Sequence, residues 1–395
     1  GAKSTVATDE PSIIVADDLA PSETVQLDKD KVLAFVTVHG SSNSHTAILA
    51  RTTGIPALIG TPVDLESVDG KTAVVDGYAG IFYVDPDEET MKTMEEKRQK
   101  DLEQKELLQN LKGKENITLD GQKVMLYANI GNIKDLAMVL QNDAAGIGLF
   151  RSEFIYLEKD DYPTEEEQFK VYKEAAQLSS QELTIRTLDI GGDKELSYYE
   201  FEKEENPFLG WRAIRISLDM KEMFKEQLRA ILRASAFGHV RIMFPMIISM
   251  EELKEAKAIV QECKEELKER GEAFDENIET GMMIETPASV MLADEFAKEA
   301  DFFSIGTNDL TQYILAVDRG NKKIADRYDY FHPAVVKAIG RVIEAGHKEG
   351  IKVGMCGEMA GDQKAVKLLL DLGLDEFSMS AGSIDYVREQ ILSGN

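Results

Sequence analysis

The sequence predicts an α/β protein made of a small α/β domain, a linker helix and a (β/α)8 barrel of the TIM type. Short β-branched runs separated by turns fill residues 1–85, and a charged stretch without such runs fills residues 86–113. Residues 114–395 contain eight short apolar segments that alternate with stretches of helical character. A (β/α)8 barrel typically takes about 250 residues and buries its parallel strands on both faces, so the third region fits this fold.

The predicted small domain contains the apolar runs SIIVADD, KVLAFVTVHG, PALIG and KTAVVDGYAGIFYVDP. In the last run, Asp76-Gly77 and Ala79-Gly80 predict a tight turn between two strands. Between the second and third runs, SHTAILARTTG predicts a short helix with Ser44 as a possible N-cap and Gly54 as its stop. This mixture of strands and helix indicates a small α/β domain.

The charged stretch predicts a single helix. It begins with Pro86 and acidic residues, ends with Lys112-Gly113, and carries apolar residues at loosely helical spacing. A helix from about residue 87 to about residue 112 would be on the order of 39 Å long at 1.5 Å per residue. We interpret it as a linker, and a solvated helix packed along one domain would show the same pattern.

The eight predicted barrel strands are KVMLYANI (123–130), GIGLFRSE (146–153), LTIRTLDIG (183–191), VRIMFPM (240–246), GMMIETP (281–287), DFFSIGTND (301–309), IKVGMCGE (351–358) and DEFSMS (375–380). The active site of such a barrel lies at the carboxyl ends of its strands. Charged and nucleophilic residues end or follow these segments: Arg151, Glu153, Arg186, Asp189, Arg212, Glu285, Asn308, Asp309, Arg319, Cys356 and Glu358. Four arginines at one barrel mouth predict an anion site, because guanidinium forks match phosphate and carboxylate, although any one of them could form an ordinary surface ion pair.

Glu285 and Asp309 end adjacent predicted strands and offer the hard oxygen ligands that Mg²⁺ prefers. A pair of buried acids neutralised by the arginines would explain them equally well. Cys356 also ends a strand, and Gly354 and Gly357 on either side are expected to leave room for a ligand. A catalytic thiol and a small buried hydrophobe are both open for this residue.

His45 lies at the predicted start of a helix, just after a Ser-rich loop. A helix N-terminus disfavours imidazolium and offers N–H groups to an anion, so the position suits a neutral nucleophile that then carries a phosphoryl group. From the residues alone, a structural histidine is the preferred interpretation. The other four histidines, at positions 39, 239, 332 and 347, are assigned to structure or surface.

Composition excludes several classes of function. With 45 basic and 72 acidic residues the formal net charge is −27, which disfavours nucleic acid and anionic membranes as partners. The two cysteines are far apart in sequence and predict no disulfide framework. No apolar run approaches the roughly 20 residues that cross a bilayer, and no signal-peptide pattern opens the chain, so a cytoplasmic location is expected.

Several long motifs resemble one family over nearly the whole chain: enzyme I of the bacterial phosphoenolpyruvate-dependent sugar phosphotransferase system. The similar segments are DLAPSETVQL, NSHTAILAR, GIGLFRSEF, TEEEQF, RTLDIGGDKEL, EENPFLGWRAIR, DFFSIGTNDLTQYILAVDRGN, CGEMAGD and LDEFSMS. The resemblance implies that a histidine of a swivelling small domain takes the phosphoryl group of phosphoenolpyruvate at the barrel mouth, with Mg²⁺, and releases pyruvate. It also implies onward transfer to a histidine-containing phosphocarrier protein, as the first step of sugar uptake, and a homodimer formed through the barrel.

The resemblance assigns roles to the candidate residues by motif. His45 in NSHTAILAR is the nucleophile, and Cys356 in CGEMAGD is the acid that protonates the methylene carbon, which requires a thiol that stays neutral. The metal ligands are Glu285 in IETPAS and Asp309 in GTNDLTQ. The substrate is bound by Arg151 in LFRSEF, Arg186 in IRTLDIGG, Arg212 in LGWRAIR, Arg319 in AVDRGN, Asn308 and Asp309.

Two departures from the family pattern are visible. Asn43 stands where the family loop usually has threonine, so an amide replaces a hydroxyl beside the phosphohistidine. The family usually begins with more than a hundred further residues, including a helical subdomain that docks the phosphocarrier, and continues beyond DYVREQIL. We therefore expect a fragment or a reduced form, in which autophosphorylation remains and phosphocarrier docking is weakened.

Two other interpretations compete. Phosphoenolpyruvate synthase and pyruvate phosphate dikinase resemble this chain in the swivel histidine and the barrel, but they add an ATP-grasp domain that these residues do not show. A non-catalytic protein that binds phosphoenolpyruvate or a partner would be favoured if His45 or Cys356 were replaced, and both are present.

Overall fold

The computed structural model describes residues 10–19, 30–40, 50, 54–77, 79–109, 121–132, 135, 139, 144–179 and 181–394. The chain divides into two compact units, Gly1–Asn110 and Leu111–Asn395. No helix in the described part of the chain is both long and apolar enough to span a bilayer.

The first unit is a small α/β domain. Its described strands are β1 (Ser12–Ala16), β2 (Val32–Thr37), β3 (Ala57–Leu58), β4 (Ala73–Asp76) and β5 (Ile81–Val84). The first three form a parallel sheet in the order β1-β2-β3, while β4 and β5 form an antiparallel hairpin. The predicted turn in that hairpin is confirmed, because Gly80 N donates to Asp76 O at 2.9 Å.

The predicted stop of the short helix is also confirmed. Gly54 has a φ of 74°, and its N–H donates to Ala50 O at 2.8 Å, as at a helix C-terminus. Ser44, the expected N-cap, lies outside the described residues.

Two further helices of the first unit are α1 (Leu65–Val68) and α2 (Glu88–Gln109). The second is about 33 Å long at 1.5 Å per residue. It contacts the small domain, since Lys97 Nζ lies 2.5 Å from Asp76 Oδ2. A groove of about 570 Å³ between α2 and the strands is lined by apolar side chains such as Leu33, Val74 and Met94.

The second unit is a barrel whose strands all run parallel. They are β6 (Met125–Ile130), β7 (Gly146–Arg151), β8 (Glu182–Arg186), β9 (His239–Phe244), β10 (Glu279–Ile284), β11 (Phe302–Ile305), β12 (Lys352–Met355) and β13 (Glu376–Met379). Neighbours in sequence pair in order, and β13 pairs with β6 to close the barrel. Each strand lies within its predicted segment or overlaps it, so the predicted (β/α)8 fold is confirmed.

Helices follow the strands and cover the barrel. The α-helices described in this unit are α3 (Glu153–Leu157), α4 (Glu165–Leu178), α5 (Ile214–Asp219), α6 (Lys221–Ala234), α7 (Met250–Glu269), α8 (Pro287–Met291), α9 (Ala293–Phe296), α10 (Thr307–Leu315), α11 (Pro333–Lys348), α12 (Val366–Asp371) and α13 (Ile384–Ser393). Complete capping boxes start two of them, with Thr164 and Glu167 at α4 and Ser249 and Glu252 at α7. Such caps fix where each helix begins and therefore where the preceding loop must end.

Candidate active site

Two arginines lie buried at the carboxyl ends of the strands and share a carboxylate. Arg186 is the last residue of β8, and Arg212 follows in the loop before α5. Asp189 lies between them, 3.4 Å from Arg186 Nη1 and 3.1 Å from Arg212 Nη2. Burial by itself would raise the pKa of Asp189, but the two guanidiniums hold that pKa below its usual range.

Each of these arginines keeps one donor free. Arg186 Nη2 donates to Glu153 Oε2 at 3.0 Å, yet its Nε has no hydrogen-bond partner among the described residues. Arg212 Nε is likewise buried and unpartnered in the described part of the chain. Unpaired buried donors cost free energy unless a ligand accepts from them, so both guanidiniums point to an anion site.

The backbone around Arg212 is shaped for close packing. Gly191 has a φ of 99°, and a Cβ built on it would lie 2.5 Å from the Arg212 Cβ. Ala213, directly after Arg212, has a φ of 53°, which is unusual for a residue with a side chain. Glycine at position 191 thus lets the β8 loop approach the arginine.

A third arginine lies close to this group. Arg151 ends β7 and is half-buried. Burial lowers its pKa, and the positive charge of Arg186 lowers that pKa further. Two guanidiniums that repel each other form a site in which an anion is strongly favoured.

Glu285 and Asp309 bring two carboxylates to the same mouth. Glu285 follows β10, is 2% exposed, and accepts a hydrogen bond from Met246 N at 2.7 Å. Burial raises its pKa well above the usual range, and the negative charges of Asp309 and Asp189 add to that effect. Asp309 lies in the first turn of α10 and also accepts from Arg212 Nη2 at 3.4 Å.

These carboxylates fit a divalent cation. Both are hard oxygen donors, and their mutual repulsion in a buried setting would be relieved by bound positive charge. The alternative, in which arginines neutralise both acids, holds only for Asp309. Arg212 contacts Asp309, whereas the pKa of Glu285 stays well above its usual range, so the ionised form of Glu285 is disfavoured.

Cys356 lies directly after β12 and is 4% exposed. Its N–H donates to Ile305 O and its carbonyl accepts from Asn129 Nδ2, both at 3.0 Å. Burial raises the pKa of the thiol, although Arg186 and Arg151 act in the opposite direction. The arginines therefore do not acidify this thiol strongly, in agreement with the expectation of a thiol that stays neutral.

The expectation that glycines beside Cys356 leave room for a ligand is wrong. A Cβ on Gly357 would lie 1.9 Å from Thr307 Oγ1, and one on Gly354 would lie 3.1 Å from the Glu376 Cβ. Protein atoms already fill this space, because the barrel brings β13 against Gly354 and the first residue of α10, Thr307, against Gly357.

Asn308 and Arg319 lie around Glu358. Asn308 Oδ1 accepts from Glu358 N at 2.9 Å, and the more exposed Arg319 lies 3.9 Å from Glu358 Oε1. His45 and Asn43 lie outside the described residues.

Two contacts at this mouth were not predicted. Tyr313 Oη accepts from Arg212 Nη1 at 3.2 Å, and burial raises the pKa of that tyrosine to about 12. Tyr313 follows Asp309 by four residues and so lies on the same face of the helix, and this spacing could have predicted its place at the site. Lys194 Nζ lies 3.9 Å from Glu153 Oε2, and only its position in the motif RTLDIGGDKEL could have predicted this contact.

A second group of possible metal ligands lies at the opposite end of the barrel. Glu182, His239 and Glu279 place one ligand atom each within 4.8 Å of one another. Arg241 Nε lies 3.3 Å from Glu182 Oε1, so the guanidinium of Arg241 already neutralises the negative charge of Glu182.

Fold and site together define a (β/α)8 barrel enzyme whose mouth is lined by buried arginines and acids, joined to a small α/β domain. Family models agree with this class: residues 105–395 match "PEP-utilising enzyme, PEP-binding domain" and residues 8–80 match "PEP-utilising enzyme, mobile domain".

Curated relatives narrow the class. Phosphoenolpyruvate-protein phosphotransferase of Haemophilus influenzae is 51% identical over 388 residues, which is 98% of this chain and 68% of the relative. The proteins of the same name from Staphylococcus carnosus and Bacillus subtilis are 50% and 51% identical, over 98% and 97% of this chain and 68% and 67% of their own lengths. The chain belongs to the phosphoenolpyruvate-protein phosphotransferase family, as its motifs predicted, and spans about two thirds of these relatives.

Proposed function

We propose that this chain transfers the phosphoryl group of phosphoenolpyruvate to His45 and releases pyruvate. The observation that carries the proposal is the pair of buried guanidiniums, Arg186 and Arg212, whose Nε donors have no partner among the described residues. Phosphoenolpyruvate supplies two anionic groups, a phosphate and a carboxylate, that accept from such donors. The family membership and the motif around His45 support the choice of nucleophile.

The substrate's anionic groups are held by several residues in this proposal. In the proposal, phosphate and carboxylate are bound by Arg151, Arg186, Arg212, Arg319, Asn308 and Asp309. Of the last two, Asp309 contacts Arg212, and Asn308 contacts Glu358, which lies near Arg319. Phosphoryl transfer depends mostly on positioning and on neutralising charge, which an arginine cluster supplies.

Glu285 and Asp309 are the residues that would hold Mg²⁺. When bound, the ion would supply positive charge that helps to neutralise the phosphoryl group. The residues of the chain fix where that charge lies, since Met246 N–H orients Glu285 and Arg212 contacts Asp309.

The reaction balances with groups of this chain. A ring nitrogen of His45 forms a bond to phosphorus, and the bond between phosphorus and the enol oxygen breaks with its electron pair on that oxygen. Cys356 then gives its proton to the methylene carbon of enolpyruvate, which yields pyruvate, and the thiolate regains a proton from water. A buried thiol with a raised pKa is suited to give up a proton only to such a strong acceptor.

The proposal assigns a role to each of the three regions that the sequence patterns define. Residues 1–85 carry the phosphohistidine, residues 86–113 the linker helix, and residues 114–395 the phosphoenolpyruvate site. The proposal includes domain movement that brings His45 to the barrel mouth and then to a histidine of the phosphocarrier protein.

The proposal also includes dimerisation through the barrel, which sedimentation of the purified chain measures directly.

Labelled phosphoenolpyruvate with Mg²⁺ tests the function. We expect acid-labile, base-stable label on the wild-type chain together with an equal amount of pyruvate. His45→Ala should lose the label, whereas the matched control His39→Ala, six residues earlier in the sequence, should keep it. Absence of label on the wild type, or equal label on His45→Ala, would reject the proposed function.

A further inference from the structure

Gln227 lies behind the barrel mouth, on α6, and is 1% exposed. Its Oε1 accepts from Leu188 N at 3.0 Å. Its Nε2 donates to Ser152 Oγ at 2.9 Å and to Tyr172 Oη at 3.2 Å. The side chain therefore uses its acceptor and both of its donors within the core.

Two of these partners belong to the segments that carry the site. Ser152 lies between Arg151 and Glu153, and its hydroxyl donates to Arg186 O at 2.8 Å. Leu188 directly precedes Asp189, whose N–H donates to Glu153 Oε1 at 3.1 Å. Gln227 thus joins the end of β7 to the loop after β8 from outside the barrel.

The donor and acceptor roles in this hydrogen-bond network require an amide at position 227. The Ser152 hydroxyl gives its proton to Arg186 O, and the Tyr172 hydroxyl gives its proton to Gln168 Oε1 at 3.0 Å. Both hydroxyls are then left to accept, and the two N–H groups of Gln227 supply the donors. A glutamate would offer only acceptors to them and would add a buried charge.

The geometry points to Gln227 as a positioning residue for phosphoryl transfer, acting through Ser152 and Leu188 on the placement of Arg186, Glu153 and Asp189. The inference rests on the proposed function. It assigns to Gln227 on α6 a role that acts through Ser152 and Leu188 and needs no contact with substrate. Because effective catalysis requires reacting groups to be held within about 1 Å, loosening this link should slow the reaction by about 10–100-fold.

Gln168 provides a matched control. It is also a buried glutamine, 1% exposed, with three hydrogen bonds, from Tyr156 and Tyr172 to its Oε1 and from its Nε2 to Pro163 O. It touches neither Ser152 nor Leu188 in these hydrogen bonds. Gln227→Met and Gln168→Met each remove a buried amide with three hydrogen bonds from the same core. Both amides contact Tyr172, but only Gln227 contacts Ser152 and Leu188.

The test measures single-turnover labelling of the full chain by phosphoenolpyruvate with Mg²⁺, at saturating substrate and below the unfolding transition of each variant. We expect Gln227→Met to label about 10–100-fold more slowly with an unchanged final amount of label. Gln168→Met should retain a rate close to that of the wild type. A merely structural role would lower the final amount of label, through misfolded protein, and leave the rate constant unchanged.

A milder variant keeps the test decisive if Gln227→Met folds poorly. Ser152→Ala removes the hydroxyl between Gln227 and Arg186 O and should slow labelling in the same direction. The double variant should be slowed by less than the product of the two single effects, because both substitutions act on the placement of Arg186. Equal rates for Gln227→Met and Gln168→Met, or a normal rate for Ser152→Ala, would overturn the positioning role, whereas an unlabelled wild type would instead reject the proposed function.

Discussion

Arg212 Nη2 donates to both carboxylate oxygens of Asp189, at 3.1 and 3.3 Å. Both side chains are almost fully buried, at 6% and 5% exposure. The same carboxylate lies 3.4 Å from Arg186 Nη1, so one buried acid orients two of the four arginines assigned to substrate.

Asp189→Asn should therefore destabilise the protein strongly. The change leaves two buried guanidiniums without their shared counter-charge, and breaking a buried pair in this way costs about 3–5 kcal/mol. Urea unfolding of both proteins measures the difference. Asp371→Asn is the control, since its pair with Lys367 is exposed and worth about 0.5 kcal/mol or less. Equal effects of the two substitutions would contradict the shared role of Asp189.

The same pair predicts a pH dependence. Because the folded-state pKa of Asp189 lies below its unfolded value of about 3.9, its stabilisation is complete above that value and is lost as the pH falls through the folded pKa. The stability difference between wild type and Asp189→Asn should accordingly shrink below about pH 4. A difference that stays constant from neutral to acid pH would count against the ionised pair.

Glu285→Gln should separate folding from metal binding. Burial and two nearby acids disfavour the ionised Glu285, so removing its charge should raise the thermal midpoint of the metal-free protein by roughly 2–4 °C. Mg²⁺ should raise the midpoint of the wild type and not that of the variant, and turnover should be lost. Thermal unfolding with and without Mg²⁺ measures both effects, and equal stabilisation of the two proteins by the ion would remove Glu285 from the metal site.

Cys356→Ala should slow the formation of pyruvate more than the formation of phosphohistidine. Loss of a general acid typically costs about 10²–10⁴-fold in the step that it serves. Pyruvate release and label on the protein are measured in one time course. Cys263→Ala is the control, because that second buried thiol, with a pKa raised to about 12, lies on α7 in contact with Lys225 O. Undiminished pyruvate formation in Cys356→Ala would rule out the acid role.

Gly191→Ala should impair both stability and labelling. Alanine would be held at a φ near 99°, which is strained for a residue with a side chain, and its Cβ would clash with the Arg212 Cβ. We therefore expect the free energy of unfolding to fall by about 1–3 kcal/mol and the Arg212 guanidinium to be displaced. Gly382→Ala is matched, since nothing lies within 4 Å of its built Cβ. Chemical denaturation and the labelling rate measure the two effects, and a Gly191→Ala protein as stable and active as Gly382→Ala would show that the close approach is unimportant.

The sequence by itself determined the strands of the barrel and the residues at their carboxyl ends. Parallel barrel strands are buried on both faces, so each reads as a short apolar run, and its end is visible where a polar residue follows. Arg186 after LTI and Glu285 after GMMI could be found in this way.

The tertiary structure decided which of these residues meet. Asp189 contacts Arg212 across 23 residues, and Gln227 contacts Ser152 across 75, and such separations follow from barrel closure and helix packing, not from local spacing. The same closure places Thr307 beside Gly357, where the sequence suggested open space. Local patterns fix the direction and burial of each element, whereas the partners of a buried polar group depend on elements that are distant in the chain.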